Sequence, residues 1–258
     1  MEWYTYLLVI GIGLIAGFIN TLAGSGSLLT LPLLMFLGLP ANVANGTNRI
    51  AIFLQNVVGV ASFKKQKVLE SSPNLWLAVP AVIGSLVGAG IAVNFNEEIM
   101  RKAIGGLLVF MFFIILYRPE KWIKQSAETQ HKKPSYWQFV IFFLIGIYGG
   151  FIQAGVGFFL LGGLVLGAGL DLVKANALKL FIALIYTPFA LAIFFFNDQV
   201  NIQFGLILAV GNMLGAFIGT RVAVDWGPKF IRIVLLLAIF MSALKLLGVI
   251  DWIANRLL

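Results

Sequence analysis

Eight windows of this chain are apolar almost without interruption for about twenty residues each, at 3–23, 44–63, 75–93, 99–117, 137–156, 175–196, 202–224 and 230–250. No other feature constrains the fold as strongly. A run of about 20 residues, rising roughly 1.5 Å per residue as a helix, crosses the hydrocarbon core of a bilayer. In lipid each backbone N–H and C=O must find its partner inside the protein, which leaves helices or a closed barrel. Windows this long, apolar on both alternate sets of positions, read as helices and not as alternating strands. Composition agrees: the apolar set AVILMFWYC makes up 60% of the 258 residues, and Asp, Glu, Lys and Arg only 11%. A water-facing domain carries about 25% charged residues. With no Cys, disulfide frameworks and thiol chemistry are excluded. The expected class is an all-α polytopic membrane protein, embedded in a lipid bilayer.

Two shorter apolar pieces, 27–37 and 158–169, each follow a glycine break, Gly24-Ser25-Gly26 and Gly155-Val156-Gly157. With about a dozen residues each, they predict short interrupted helices beside the eight long ones. The N-terminus does not read as a signal peptide, because Glu2 replaces a cationic first region. Charge placement then orients the chain, since cytoplasmic loops collect Lys and Arg. Lys64, Lys65 and Lys67 follow the second window; Arg118, Lys121, Lys124, Lys132 and Lys133 fill the polar stretch 118–135; Arg221, Lys229 and Arg232 fall between the last two windows. The turn at 197–201 has no cation and 94–98 is acidic. If both short pieces complete a crossing, the cation-rich loops share the cytoplasmic side and both termini lie outside. Arg101 and Lys102 are then the one violation. The net charge of +8 becomes an orientation signal, which removes nucleic acid as a partner.

The two halves match. Gly17-Phe18-Ile19-Asn20-Thr21-Leu22-Ala23-Gly24 resembles Gly150-Phe151-Ile152-Gln153-Ala154-Gly155-Val156-Gly157, and Gly84-Ser85-Leu86-Val87-Gly88-Ala89 resembles Gly211-Asn212-Met213-Leu214-Gly215-Ala216. Between them, Ala44-Asn45-Gly46-Thr47-Asn48-Arg49-Ile50 corresponds to Lys174-Ala175-Asn176-Ala177-Leu178-Lys179-Leu180. An odd number of segments per copy inserts the second copy inverted. Inverted repeats with interrupted helices in matching places are a signature of secondary transporters. The expected organisation is a first repeat at 1–118, a cytoplasmic linker at 119–135 and an inverted second repeat at 136–258. The Gly-x-x-x-Gly spacings of the later windows predict close helix packing.

On the run from Ala16 to Ser27, the Ala44-Asn45-Gly46-Thr47-Asn48-Arg49 segment, Gly149-Gly150-Phe151 and the Met241-to-Leu247 stretch, the chain resembles the sulfite exporter TauE/SafE family of membrane transporters. The resemblance spans nearly the whole chain. It implies transport of anions, notably sulfite and small organosulfonates, across the cytoplasmic membrane. The second copy departs from the first where Phe158 and Phe159 stand in place of Ser25 and Gly26.

The residues suggest a site consistent with that. A glycine break opening a helix offers free N–H groups to an anion, and Ser25 and Ser27 add hydroxyls; Asn20, Thr21 and Gln153 lie one turn before the breaks. Arg49 and Lys179 sit about five residues inside apolar windows, beside Asn45, Thr47, Asn48 and Asn176. A cation that deep costs about 2.5–3.5 kcal/mol on insertion scales, unless it snorkels to the head groups. The carboxylates fall in loops or at window ends, where Asp171 could couple protons or cap a helix. His131, the only histidine, falls in the linker. No Cys/His cluster offers a metal site, no motif calls for a cofactor, and no catalytic constellation argues for an enzyme. Without a buried proton relay, an inside-negative potential drives anions outward. The expected activity is efflux of a small anion by a monomer or homodimer, with an anion channel or a proton- or sodium-coupled importer as alternatives.

Overall fold

The computed structural model describes residues 3–69, 72–116 and 134–246, with side chains left undescribed at 107–116 and 227–246. The expected linker therefore lies almost wholly outside the described residues, as do residues 247–258. Among the described residues the chain is helical: α1 (Trp3–Ala23), α2 (Ser27–Phe36), α3 (Ala41–Lys65), α4 (Ala78–Val93, entered through a 3₁₀ turn at Pro73–Leu77), α5 (Glu97–Leu116), α6 (Tyr136–Phe151), α7 (Val156–Gly162), α8 (Leu172–Phe196) and α9 (Ile202–Leu246). Trp3–Ala23, Pro73–Val93, Leu172–Phe196 and Ile202–Trp226 are long and apolar enough to cross a bilayer.

The structure departs from the eight expected long spans in three places. The window 44–63 becomes part of α3, which has the length but not the apolarity: Asn45, Thr47, Asn48, Arg49, Gln55 and Asn56 all lie buried along it. Most of this helix packs against other protein, with Val57 exposed on its outer side. The window 137–156 stops early, because α6 ends at Phe151 and the chain is extended at Ile152 (φ −138°, ψ 123°). The last two windows run together in one 45-residue helix, about 68 Å long at 1.5 Å per residue. The turn expected near Arg221, Lys229 and Arg232 does not form, since the backbone hydrogen-bond ladder passes through it.

Both short pieces form, and each is bracketed by left-handed glycines. Gly24 (φ +75°) and Gly38 (φ +91°) flank α2, while Gly155 (φ +72°) and Gly169 (φ +67°) flank α7 and the π-helical turn Gly163–Gly167 that prolongs it. A residue with a Cβ pays about 1–2 kcal/mol to hold that conformation, which is why these four positions are glycine. The left-handed turns fall at Gly24 and Gly155, whereas the sequence match sets Gly24 beside Gly157.

Packing is reciprocal between the halves. A side chain added at Gly13 or Gly17 of α1 would strike Leu208 or Asn212 of α9, and one at Gly211 or Gly215 would strike Ile10 or Leu14. The second pair repeats this: Gly84 and Gly88 of α4 lie on Phe143 and Ile147 of α6, and Gly146 and Gly150 on Ala81 and Ser85. Where lipid is as apolar as the helix surface, close backbone approach supplies the dispersion contacts that hold helices together. The outward faces carry Leu7, Ile15, Ile83, Leu86, Leu206, Leu214 and Phe217, with Trp3, Trp76, Trp137 and Trp226 exposed near the ends of the apolar stretches, as lipid-facing and interfacial residues are.

Candidate functional site

Arg49 and Lys179 are the two buried charged residues among those described, at 0% and 1% exposure. Neither snorkels. Each reaches instead for the frayed end of a broken helix in the opposite half. Arg49, in the third turn of α3, donates from Nη1 to Gly149 O (2.9 Å) and Gln153 Oε1 (3.1 Å), and from Nη2 to Gly150 O (2.6 Å). Its guanidinium lies 4.5 Å from the centre of the Phe194 ring on α8. Asn45, one turn earlier, donates to Phe151 O (2.8 Å). The last carbonyls of α6, which no intrahelical N–H can reach, are thus met by one cation and one amide.

Lys179 does the same for α1. Its ammonium donates to Asn20 O (2.9 Å), Thr21 O (2.8 Å) and Asn176 Oδ1 (2.8 Å), while Asn176 donates to Leu22 O (3.3 Å). A helix C-terminus carries about half a negative charge, which favours a cation. The partners of both cations are therefore dipoles rather than ions. The described carboxylates lie elsewhere. Glu97 and Glu98 pair with Arg101 and Lys102 on the exposed face of α5, and Asp198 and Asp225 are exposed. Asp171 caps α8 by accepting from Val173 N (3.0 Å) and Lys174 N (2.9 Å), so of its two expected roles the geometry shows the capping one. Two positive charges stay buried with no compensating anion among the described residues.

The expected site residues fall into three groups. Asn45, Arg49 and Gln153 meet at the end of α6, where Gln153 Nε2 also donates to Tyr186 Oη (3.1 Å) and so ties α8 into the cluster. Asn20 and Thr21 meet Lys179, through their backbone carbonyls; the Thr21 hydroxyl turns back to Gly17 O (2.8 Å). Asn48 and Ser27 meet across α3 and α2: Asn48 Nδ2 donates to Ser27 Oγ (3.1 Å), and Thr30 Oγ1 donates to Asn48 Oδ1 (2.7 Å). The breaks themselves touch, because a Cβ on Gly24 would lie 2.5 Å from Gly157 Cα and 2.6 Å from Phe158 N. Ser25 is buried beside them, but neither it nor any other side chain caps the start of α2.

Thr47 stands apart. Its hydroxyl accepts from Asn201 N (2.8 Å) and pins the turn into α9, away from both cations. Four contributors escaped the sequence reading as site residues: Thr30, Asn176, Tyr186 and Phe194. Asn176 had a signal, as the polar neighbour one turn from Lys179. Tyr186 and Phe194 lie in an apolar run where nothing separates a contact residue from packing.

Chemically, the arrangement offers two fixed cations, amides and hydroxyls around the junction of two broken helices, with no nucleophile–base pair among its members. Comparison with known proteins accords with a membrane transporter. At 27% identity over 236 residues, 91% of this chain and 89% of the relative align with the probable membrane transporter protein ORF9 of a Sinorhizobium species. The probable membrane transporter protein YfcA of Escherichia coli K12 is 27% identical over 237 residues, covering 92% and 87%. The probable membrane transporter protein YjnA of Bacillus subtilis is 26% identical over 263 aligned positions, covering 93% and 98%. No solved structure matches the chain. The family described as sulfite exporter TauE/SafE matches residues 9–246, and with that match across helices α1 to α9 the chain belongs to the TauE/SafE family of membrane transporters.

Proposed function

We propose that the protein carries a small oxyanion outward across the cytoplasmic membrane: sulfite, an organosulfonate such as sulfoacetate, or a related carboxylate. The observation that carries this reading is the burial of Arg49 and Lys179 against carbonyl and amide oxygens alone. Retaining two ions in a low-dielectric interior costs several kcal/mol each, and a transported anion would offset part of that cost while it is bound. Asn45, Asn48, Ser27, Gln153 and the Asn20–Ser25 segment supply the surrounding hydrogen-bonding groups; Thr47 acts on the fold. The membrane potential contributes about 2.3 kcal/mol per 100 mV for each negative charge moved outward, so efflux needs no coupling ion.

The two halves, 1–118 and 136–258, function in this reading as inverted copies joined by a cytoplasmic linker at 119–135. The reciprocal glycine contacts of α1 with α9 and of α4 with α6 support it, as do the matched brackets around α2 and α7. The expectation that both termini lie outside needs a turn back near Trp226, which the unbroken α9 lacks. A C-terminal tag labelled only from outside fits that turn, and one labelled only from inside fits the unbroken α9. The function is tested by counterflow in proteoliposomes loaded with sulfoacetate. Exchange that follows the membrane potential supports facilitated efflux, and exchange that demands a proton or sodium gradient and ignores potential overturns it.

A further inference from the structure

Two turns beyond Arg49, about 10 Å along α3, lies a second buried polar cluster that contains no charge. Gln55 (0% exposed), Asn56 (1%), Thr187 (0%) and Asn212 (1%) are all sealed inside the protein. One hydrogen bond joins two of them, Asn212 Nδ2 to Gln55 Oε1 at 3.3 Å. The remainder of their polar atoms, Gln55 Nε2, Asn56 Nδ2 and Oδ1, Thr187 Oγ1 and Asn212 Oδ1, have no partner among the described residues. Thr187 comes level with this stretch because α3 and α8 pack antiparallel: Arg49 meets Phe194 at one end and Gly59 meets Leu180 at the other. Residues 52–56 therefore face the region of 183–187.

The corresponding place in the other half is different. Where Asn212 packs on Gly17, Ser85 packs on Gly150, and Ser85 Oγ is bonded to Val82 O (2.8 Å) and Tyr186 O (3.4 Å). Tyr186 Oη is likewise occupied by Gln153. Single unpaired atoms also occur at Asn42, Asn45, Arg49, Asn74 and Gln199, whereas here five fall on four residues. Each buried donor or acceptor left unpaired is destabilising, and such groups are almost always satisfied by protein, water or ligand. Amide and hydroxyl donors without fixed charge suit an oxyanion that must be held briefly and released.

Resting on the transport reading above, we infer that Gln55, Asn56, Thr187 and Asn212 form an uncharged binding station for the oxyanion between α3, α8 and α9, inward of Arg49 along the same helix. The amide and hydroxyl groups of the station replace part of the anion's hydration, and Arg49 supplies the charge at the next stop.

The chain has no cysteine, so single-cysteine variants report without background. Asn56→Cys and, as a near-isosteric second probe, Thr187→Cys are reconstituted and treated with an anionic sulfonatoethyl and a cationic trimethylammonioethyl methanethiosulfonate. Each rate is divided by that reagent's rate with free cysteine. Ala89→Cys, in a buried apolar cluster, serves as the dry control. The station predicts labelling by the anionic reagent at least about tenfold faster than by the cationic one, slowed severalfold by millimolar sulfoacetate, with Ala89→Cys inert. No labelling at either position overturns the station. Equal labelling by both reagents without protection also overturns it, leaving a water site only. Sulfoacetate counterflow by the parent chain is measured in parallel. Counterflow with an unlabelled station removes the station and leaves transport standing, whereas absent counterflow removes the transport reading while labelling still decides whether the station admits an anion.

Discussion

The meeting of Gly24 with Gly157 separates two physical costs that usually arrive together. Gly38→Ala incurs only a conformational cost, since φ is +91° and a Cβ there meets nothing within 4 Å; that cost is about 1–2 kcal/mol. Gly157→Ala incurs only a steric one: its φ is not positive, but the new Cβ would lie 2.5 Å from Gly24 Cα, and overpacking of this kind costs about 1–3 kcal/mol. Gly24→Ala incurs both, at φ +75° and against the Gly157 backbone, for about 2–5 kcal/mol in all. A kcal/mol lowers Tm by about 2–4 °C for a chain of this size. Thermal unfolding in detergent should therefore place Gly38→Ala about 2–8 °C below the parent and Gly24→Ala distinctly lower. Gly24→Ala melting with Gly38→Ala would show that the two breaks do not touch. Gly24→Ala and Gly157→Ala should also combine less than additively, because one separation of the two breaks relieves both clashes.

Further expectations concern the polar residues. Arg49→Gln and Lys179→Gln should each lower sulfoacetate counterflow at least tenfold while the protein still folds; unchanged flux in a folded variant removes that residue from the site. Asp171→Ala should lose a helix cap worth about 1 kcal/mol with transport retained per folded molecule, and loss of potential-driven exchange in that variant would restore a coupling role. Thr47→Val leaves Asn201 N–H unpaired at a cost of about 1–3 kcal/mol; the Tm should fall while half-saturation for the anion stays put, and a shifted half-saturation would return Thr47 to the site.

The helical, membrane-embedded class was legible because apolar windows and glycine breaks are local signals. The limits of α2, for instance, follow from Gly24 and Gly38. The two cations were legible as well, since a lone Arg or Lys among apolar residues has few neutral explanations. What they touch was not, because the partners are backbone carbonyls of Gly149, Gly150 and Asn20, and every residue has a carbonyl. Thr47 is parted from the cation for a related reason: two residues from Arg49 in sequence, its side chain points about 200° away around the helix, toward Asn201. The polarity of α3 was visible in Asn45, Asn48, Gln55 and Asn56, yet its meaning needed tertiary context. A polar helix among apolar ones is the one the others surround.

The way Arg49 is held has a consequence for tightness of coupling. Three of its five N–H groups are bonded, to Gly149, Gly150 and Gln153, while its Nε has no partner among the described residues. The three ammonium hydrogens of Lys179 are matched by Asn20, Thr21 and Asn176. In the proposed transport an anion could meet Arg49 first at its unpartnered Nε–H. At Lys179 it would have to compete for N–H groups already bonded, and each one it won would unlatch the end of α1. On that proposal occupancy and mobility would be linked: an empty protein would stay latched at α1, and the bonds that the cargo has to break would also suppress leak.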